Sequence, residues 1–212
     1  MKKIIFTVLL GSVFTGMIFI TGCEEVKGTS DEFISNGWEA FKKGDYAAAI
    51  DILQKGKAKA TGESLIQTEF ALNWCYYRKG SLKAGDNLIQ KAEISLDSLY
   101  SKYAESIVPL SFIKLDRELN ANNLTSTEYT LVVARLKSFL NLNPPYSFTY
   151  DSSIDYKDLV LNGAQISSHR LDYSEAVSFI KFADSLFDPG TPGTQAYVNA
   201  IITKIEALRT AN

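Results

Sequence analysis

The sequence predicts an all-α fold, built from helical hairpins, for most of its length after residue 30. Three observations point to it. Apolar residues recur three and four positions apart, alternation of apolar and polar residues is nearly absent, and glycines separate the apolar segments at short intervals. Helices joined by short glycine turns pack as hairpins. We therefore expect a stack of hairpins.

The first two hairpins are the most regular. The first runs from Asp31 to about Gly62 and turns at Gly44, and the second covers 63–97 and turns at Gly80. Their helical segments are predicted at 31–44, 46–62, 63–79 and 82–97. The apolar stripes of the first hairpin are formed by Phe33, Trp38, Phe41, Tyr46, Ala49, Ile50 and Leu53.

The spacing within these hairpins resembles the tetratricopeptide (TPR) repeat. Small residues at fixed positions let the two helices of a pair approach closely, and large residues fill the gap to the next repeat. The separation of Ala49 and Gly85 is 36 residues, close to the family repeat of about 34. The matching positions are Phe33, Gly37, Gly44, Asp45, Tyr46, Ala49 and Leu53, then Leu72, Asn73, Tyr76, Gly80, Gly85 and Ile89. The resemblance implies an all-α, TPR-like right-handed solenoid that binds proteins.

Two later repeats are spaced more widely. Val132 and Ala176 match the small position of the second helix, at intervals of 47 and 44 residues. We therefore expect insertions within 98–120 and 141–155. Pro109 is predicted to open or kink the first helix of the third hairpin, because proline interrupts helical hydrogen bonds.

Capping sequences support several helix starts. Thr29 with Glu32, Thr125 with Glu128, and Asp172 with Glu175 have the spacing of a capping box or its analogue. After the Pro- and Gly-rich stretch 189–193, a final helix is predicted to cap the core of the stack. Its apolar stripe is Tyr197, Ile201, Ile202, Ile205 and Leu208. The predicted repeat domain spans 31–212.

The first 23 residues resemble a bacterial lipoprotein signal peptide. Lys2 and Lys3 precede an apolar run, 4–20, which is followed by Thr21-Gly22-Cys23. The resemblance implies removal of residues 1–22 and acylation of the Cys23 thiol. Residues 23–30 would then form a short polar tether to the membrane.

Two alternatives to this interpretation are an uncleaved membrane anchor and a simple secretory signal. The anchor is an alternative because 17 apolar residues reach the lower limit for spanning a bilayer. In the lipoprotein interpretation the protein is anchored in the cell envelope. Glu24 follows the cysteine where an aspartate resembles an inner-membrane retention signal, and this favours the outer membrane. The mature chain has a net charge of −4, which gives no support for nucleic-acid binding.

Sequence motifs of catalysis or cofactor binding are nearly absent. His169 is the only histidine, so a site with several histidines is excluded, and its place at a predicted helix end favours a structural role. Cys75 is interpreted as a small buried hydrophobe. Asp151 and Asp155 are interpreted as helix-start residues. No phosphate loop, zinc motif or calcium loop is present, and no cofactor or metal is expected.

Aromatic residues are the best candidates for partner contacts, because rings provide large contact area at little entropic cost. We expect a surface at loop 141–155 and a neighbouring groove along the third helix. The candidate residues are Tyr76, Tyr77, Tyr146, Phe148 and Tyr150. For Trp74 and Tyr76 the helical spacing favours a place in the core, whereas core and contact are equally favoured for the tyrosines of the loop.

The leading functional hypothesis is a non-enzymatic envelope lipoprotein that holds a protein or peptide in the concave face of its solenoid. The alternative is an envelope lipoprotein that binds a glycan or small solute on its aromatic surface. An open groove would favour the first, and an enclosed pocket with convergent polar groups the second. A hydrolase would require two carboxylates facing each other across a cleft.

Overall fold

The computed structural model describes residues 27–79, 87–120 and 124–210. These ranges contain nine α-helices and one short 3₁₀ helix, Ala104–Ser106. The α-helices are α1 (Ser30–Lys42), α2 (Tyr46–Lys57), α3 (Gly62–Arg78), α4 (Asn87–Leu99), α5 (Ile107–Leu119), α6 (Ser126–Leu142), α7 (Tyr156–His169), α8 (Tyr173–Ala183) and α9 (Gln195–Thr210). The predicted all-α fold is confirmed. Among the described helices, none is both long and apolar enough to span a bilayer.

The helices pack as four consecutive hairpins, α1–α2, α3–α4, α5–α6 and α7–α8, and each hairpin contacts the next one. The first helices also contact one another in the order α1, α3, α5, α7. Their side of the stack is called the inner face below. Helix α9 packs against α7 and α8, where Tyr197, Ile201 and Ile205 are buried, as predicted for a capping helix. One apolar cluster runs through the stack, from Ile34 to Ile205.

Glycines permit close helix contact in the first and last hairpins. A Cβ atom at Gly37 would lie 2.5 Å from Leu53 Cγ, and one at Gly163 would lie 2.3 Å from Phe179 Cε1. Both distances are far shorter than a van der Waals contact between carbon atoms. The predicted role of small residues in the TPR-like pattern therefore holds for Gly37, and Gly163 plays the same part.

The same two hairpins share one turn geometry. Gly44 has φ of 78° and Leu171 has φ of 61°, so both lie in the left-handed region. Each is followed by an aspartate that caps the second helix, Asp45 with φ/ψ of −85°/72° and Asp172 with −85°/71°. The first and fourth hairpins are thus repeats of one another, although a leucine occupies the glycine position in the fourth.

The predicted helix starts at Thr29, Thr125 and Asp172 are confirmed, since each side chain accepts a hydrogen bond from the backbone N–H three residues on. Asp155 likewise caps α7. Asp151 starts no helix, and that interpretation was wrong: its carboxylate forms an ion pair with Arg78 instead. Cys23, Gly80 and Gly85 lie outside the described residues.

The two expected insertions differ in kind. Residues 98–120 contain the end of α4, the 3₁₀ helix and α5, and Pro109 lies in the first turn of α5. Its missing N–H costs little there, because first-turn N–H groups have no partner within a helix. The second insertion is a true loop, residues 143–155, between α6 and α7. It is called the inserted loop below.

Candidate functional site

The inserted loop is folded on itself. Ser147 and Asp155 form an antiparallel bridge, with the Phe148 N–H donating to the Ile154 carbonyl at 3.0 Å and the Tyr156 N–H to the Tyr146 carbonyl at 2.9 Å. Two consecutive turns form the tip, closed by Asp151 N–H to Phe148 O and by Ile154 N–H to Asp151 O. The loop thereby presents Phe148 and Tyr150 from a defined backbone.

Phe148 inserts between the first two inner helices. Its ring centroid lies 6.2 Å from that of Trp38, 5.9 Å from Phe70 and 5.3 Å from Trp74, all edge to face, and only 1% of the residue is exposed. These edge-to-face contacts are among the favourable arrangements of aromatic rings. Trp38, on α1, and Phe70 and Trp74, on α3, are called the aromatic cradle below.

Tyr150 covers the other end of the aromatic cradle. Its ring stacks on Trp38 at 4.0 Å between centroids and 8° between planes. The next residue, Asp151, forms an ion pair with Arg78 at 3.4 Å, between Nε and Oδ2. Three of the four side chains of the motif Phe-Thr-Tyr-Asp, at 148, 150 and 151, therefore contact α1 and α3.

Tyr146 anchors the base of the inserted loop. Its hydroxyl donates to Glu105 Oε1 at 2.6 Å, and the Tyr103 hydroxyl donates to the other oxygen of the same carboxylate. Burial and the hydrogen bond to the negative Glu105 raise the pKa of Tyr146 well above its usual range. Tyr146 consequently stays neutral and acts as a donor throughout the physiological pH range.

The inserted loop occupies the inner face where the sequence predicted an open contact surface. Phe148 is not on the surface in this structure, because cradle side chains that lie far away in the sequence surround it, and its predicted partner role is not tested. Tyr146 and Tyr150 are half-buried against the chain's own residues. A partner role for these two tyrosines stays a prediction.

Tyr76 and Tyr77 do not line a common groove. The Tyr76 hydroxyl accepts a hydrogen bond from Gln54 Nε2, on α2, at 3.1 Å. The Tyr77 ring packs on Trp74 and on Phe112, and its hydroxyl hydrogen bonds to Asp116, on α5. Adjacent helical residues point about 100° apart, so the two side chains face different neighbours. Their predicted partner role is likewise untested.

A buried charge network joins α4, α5 and α6, and sequence reasoning missed it. Lys114, whose side chain is 7% exposed, and Arg117 both contact Glu93 and Glu128. Burial alone would raise the pKa of Glu128, but hydrogen bonds from the Thr125 N–H, Arg117 and Lys114 outweigh it and lower the pKa well below its usual range. The only available sequence signal is charged residues among the apolar positions of α5.

A solvent-open cleft of about 240 Å³ lies beside this network, between α4 and α6. Carboxylates face each other across it, Glu93 and Asp97 from α4 and Glu128 from α6. General acid catalysis needs a carboxyl group whose pKa is raised towards neutrality. Glu128 is instead held ionised by two cations, and Asp97 is paired with Arg135 at 2.6 Å. In this arrangement each of the three carboxylates is paired with a cation.

The other residues singled out in the sequence have structural contacts. Cys75 is fully buried, which raises the pKa of its thiol to about 12. His169 ends α7, and its Nδ1 lies 3.0 Å from Glu118 Oε1. Glu118 also accepts the Leu124 N–H at 2.9 Å, so this pair fastens the α5–α6 turn to α7. Within the described ranges, no three acidic, histidine or cysteine residues come together as a metal site.

Comparison with known proteins supports the fold. Neither family models nor curated protein sequences give a match to this chain. A solved structure of a MamA mutant is similar, with a TM-score of 0.52 and 14% identity, over 85% of this chain and 88% of that chain. MamA is a TPR-like helical solenoid, and this chain has the same class of fold.

Proposed function

We propose that this protein is a non-enzymatic scaffold of the bacterial cell envelope that binds a protein partner and is lipid-anchored through Cys23. The observation that carries the proposal is the TPR-like stack of hairpins, an architecture whose extended surfaces suit protein binding. The cleft between α4 and α6 is open and its charged groups are internally paired, which favours this proposal over a site for a small solute or a reaction centre.

The proposed anchor places the folded domain close to the membrane. Helix α1 begins at Ser30, seven residues after Cys23. A fully extended tether of this length spans roughly 23–25 Å. The N-terminal hairpin would therefore stay within one small-domain diameter of the lipid surface, and a partner would be held at that surface.

Metabolic labelling tests the anchor. Cells that express the protein are fed an alkyne analogue of palmitate, and the purified chain is examined for the label. We expect the wild type to carry label and to fractionate with membranes, whereas Cys23→Ala loses both properties. Unlabelled wild-type protein would remove the lipid from the proposal and leave the scaffold.

The choice of membrane can be tested with one matched variant. On density gradients we expect wild-type protein in the outer-membrane fraction and Glu24→Asp enriched in the inner-membrane fraction, because aspartate at this position resembles a retention signal. Wild-type protein in the inner-membrane fraction would contradict the proposed location.

The scaffold itself is tested at native expression level. Chemical cross-linking in intact cells, followed by mass measurement of the complexes, should yield one defined heteromeric species with wild-type protein. We expect the Cys23→Ala form to lose that species if membrane placement is required. Recovery of the uncross-linked chain alone, at every cross-linker concentration, would refute a stable partner.

A further inference from the structure

The aromatic cradle is a binding site that the chain fills with its own inserted loop. We propose that it recognises a segment of the form Phe-x-Tyr-acidic in a turn conformation, and that Phe148 to Asp151 is a tethered stand-in for the same segment in a protein partner. The inference deepens the scaffold proposed above and rests on it.

The contacts define what such a segment must contain. The three rings of the aromatic cradle contact one phenyl group edge to face, and Phe148 provides that group. Trp38 offers a flat face to a second ring two positions on, and Tyr150 stacks there. Arg78 gives positive charge next to this ring and selects an acidic residue, Asp151, at the following position.

The tethered segment satisfies the apolar part of the site better than its polar part. Trp74 is fully buried, yet its indole N–H has no hydrogen-bond acceptor among the described residues. Asp151 Oδ2 is buried without a hydrogen bond, so its pairing with Arg78 is electrostatic only. A buried polar group without a hydrogen bond destabilises the arrangement that leaves it so.

Two of the four unsatisfied buried side-chain atoms in the described part of the chain lie at this site, so a partner segment could make hydrogen bonds there that the inserted loop does not make. A covalently tethered segment reaches an effective concentration in the millimolar range, so it occupies a site that it would fill only weakly as a free peptide. A partner segment that offers an acceptor to Trp74 and accepts a hydrogen bond from Arg78 would compete with it.

Both tryptophans of the chain belong to the aromatic cradle, so intrinsic fluorescence reports on this site. The vacated variant is Phe148→Ser/Tyr150→Ser/Asp151→Ser. Its matched control is Thr149→Ala/Ser152→Ala, which changes exposed residues of the same loop. The probe is a fluorescein-labelled peptide with the sequence of residues 145–154, measured by anisotropy and by tryptophan emission.

We expect the vacated variant to bind the peptide at least tenfold more tightly than the wild type and the control, in which the tethered loop competes. A peptide carrying alanine at the position of Phe148 should bind the vacated variant at least tenfold more weakly. The inference is overturned if the vacated variant melts cooperatively but does not bind the peptide at 1 mM. It is also overturned if that variant binds the peptide and its alanine form equally well.

A second variant covers the case in which the vacated one does not fold. Tyr150→Ser/Asp151→Ser keeps Phe148 in the core and loosens the other two contacts. Its affinity for the peptide must exceed that of the wild type, and equal affinity overturns the inference. Because palmitate labelling and cross-linking do not depend on this peptide, failure of the recognition motif is distinguishable from failure of the scaffold.

Discussion

Leu171 is the one described non-glycine residue in the left-handed region, and replacing it tests the repeat relationship of the first and fourth hairpins. Gly44 occupies the equivalent place, directly before the capping aspartate of the second helix. We predict that Leu171→Gly stabilises the protein, because it gives the fourth hairpin the residue that the first hairpin already has.

The magnitude follows from two opposing terms. The left-handed conformation costs an L-residue about 1–2 kcal/mol, and glycine avoids this cost. Glycine also lowers the free energy of unfolding by about 0.5–1 kcal/mol, because it has greater conformational freedom in the unfolded chain. Leu171 is 71% exposed, so little apolar burial is lost with its side chain. At the midpoints of the two ranges the net gain is about 0.7 kcal/mol, or about 1.5–3 °C in melting temperature for a domain of this size.

Thermal melts followed by circular dichroism measure this difference. Leu171→Ala is the matched control: it removes the same exposed side chain but keeps the Cβ atom, so its melting temperature should stay close to that of the wild type. In the reciprocal change, Gly44→Ala should lose about 1 kcal/mol through its φ alone, because a Cβ atom there meets nothing within 4 Å. A Leu171→Gly protein no more stable than Leu171→Ala would refute the reasoning.

Three further predictions concern the packing and the charges. Phe148→Ala should destabilise the protein by about 3–5 kcal/mol in urea unfolding, as expected for a fully buried phenylalanine, and a loss below 1 kcal/mol would show that the aromatic cradle collapses without cost. Gly163→Ala should cost about 1–3 kcal/mol, because its Cβ atom would overlap Phe179, and a neutral result would show that α7 and α8 can separate. Glu128→Gln should lower the melting temperature at pH 7 and lower it by a smaller amount at pH 3. The pKa of Glu128 is lower in the folded protein than its ordinary value of 4.5, so the stabilisation by the ionised carboxylate is fully present above pH 4.5 and is lost as the pH falls through the folded pKa. A difference in melting temperature between the wild type and Glu128→Gln that does not depend on pH would contradict this.

The helices and their starts could be predicted because their signals are local. An apolar stripe or a capping box is complete within a few residues, so Thr125 and Glu128 identified the start of α6 without knowledge of the fold. The repeat relationship was harder to detect. Leucine at 171 hides the turn that glycine marks at 44, although the backbone adopts the same conformation at both places.

The contents of the aromatic cradle could not be predicted, because the contacts join segments far apart in the chain. Phe148 and Trp38 are 110 positions apart, and no local pattern indicates which ring fills which gap. Aromatic residues beside prolines are typical of an exposed loop, and only the folded stack brings α1 and α3 within reach of Phe148. The different directions of Tyr76 and Tyr77, in contrast, follow from helical geometry alone.

The inserted loop changes the physical character of the stack. In a linear solenoid each repeat contacts only its neighbours, and stability is nearly a sum of repeat and interface terms. Here a segment between the third and fourth hairpins also binds α1 and α3, so the aromatic cradle adds a further connection to the α3–α5 and α4–α5 contacts and the charge network between the second and third hairpins. A partner segment that displaces the loop would remove this added connection and leave the others. Displacement of the loop would therefore loosen the coupling between the two halves of the stack. A partner segment in the aromatic cradle would replace the loop's contacts with α1 and α3, but it would not restore that coupling.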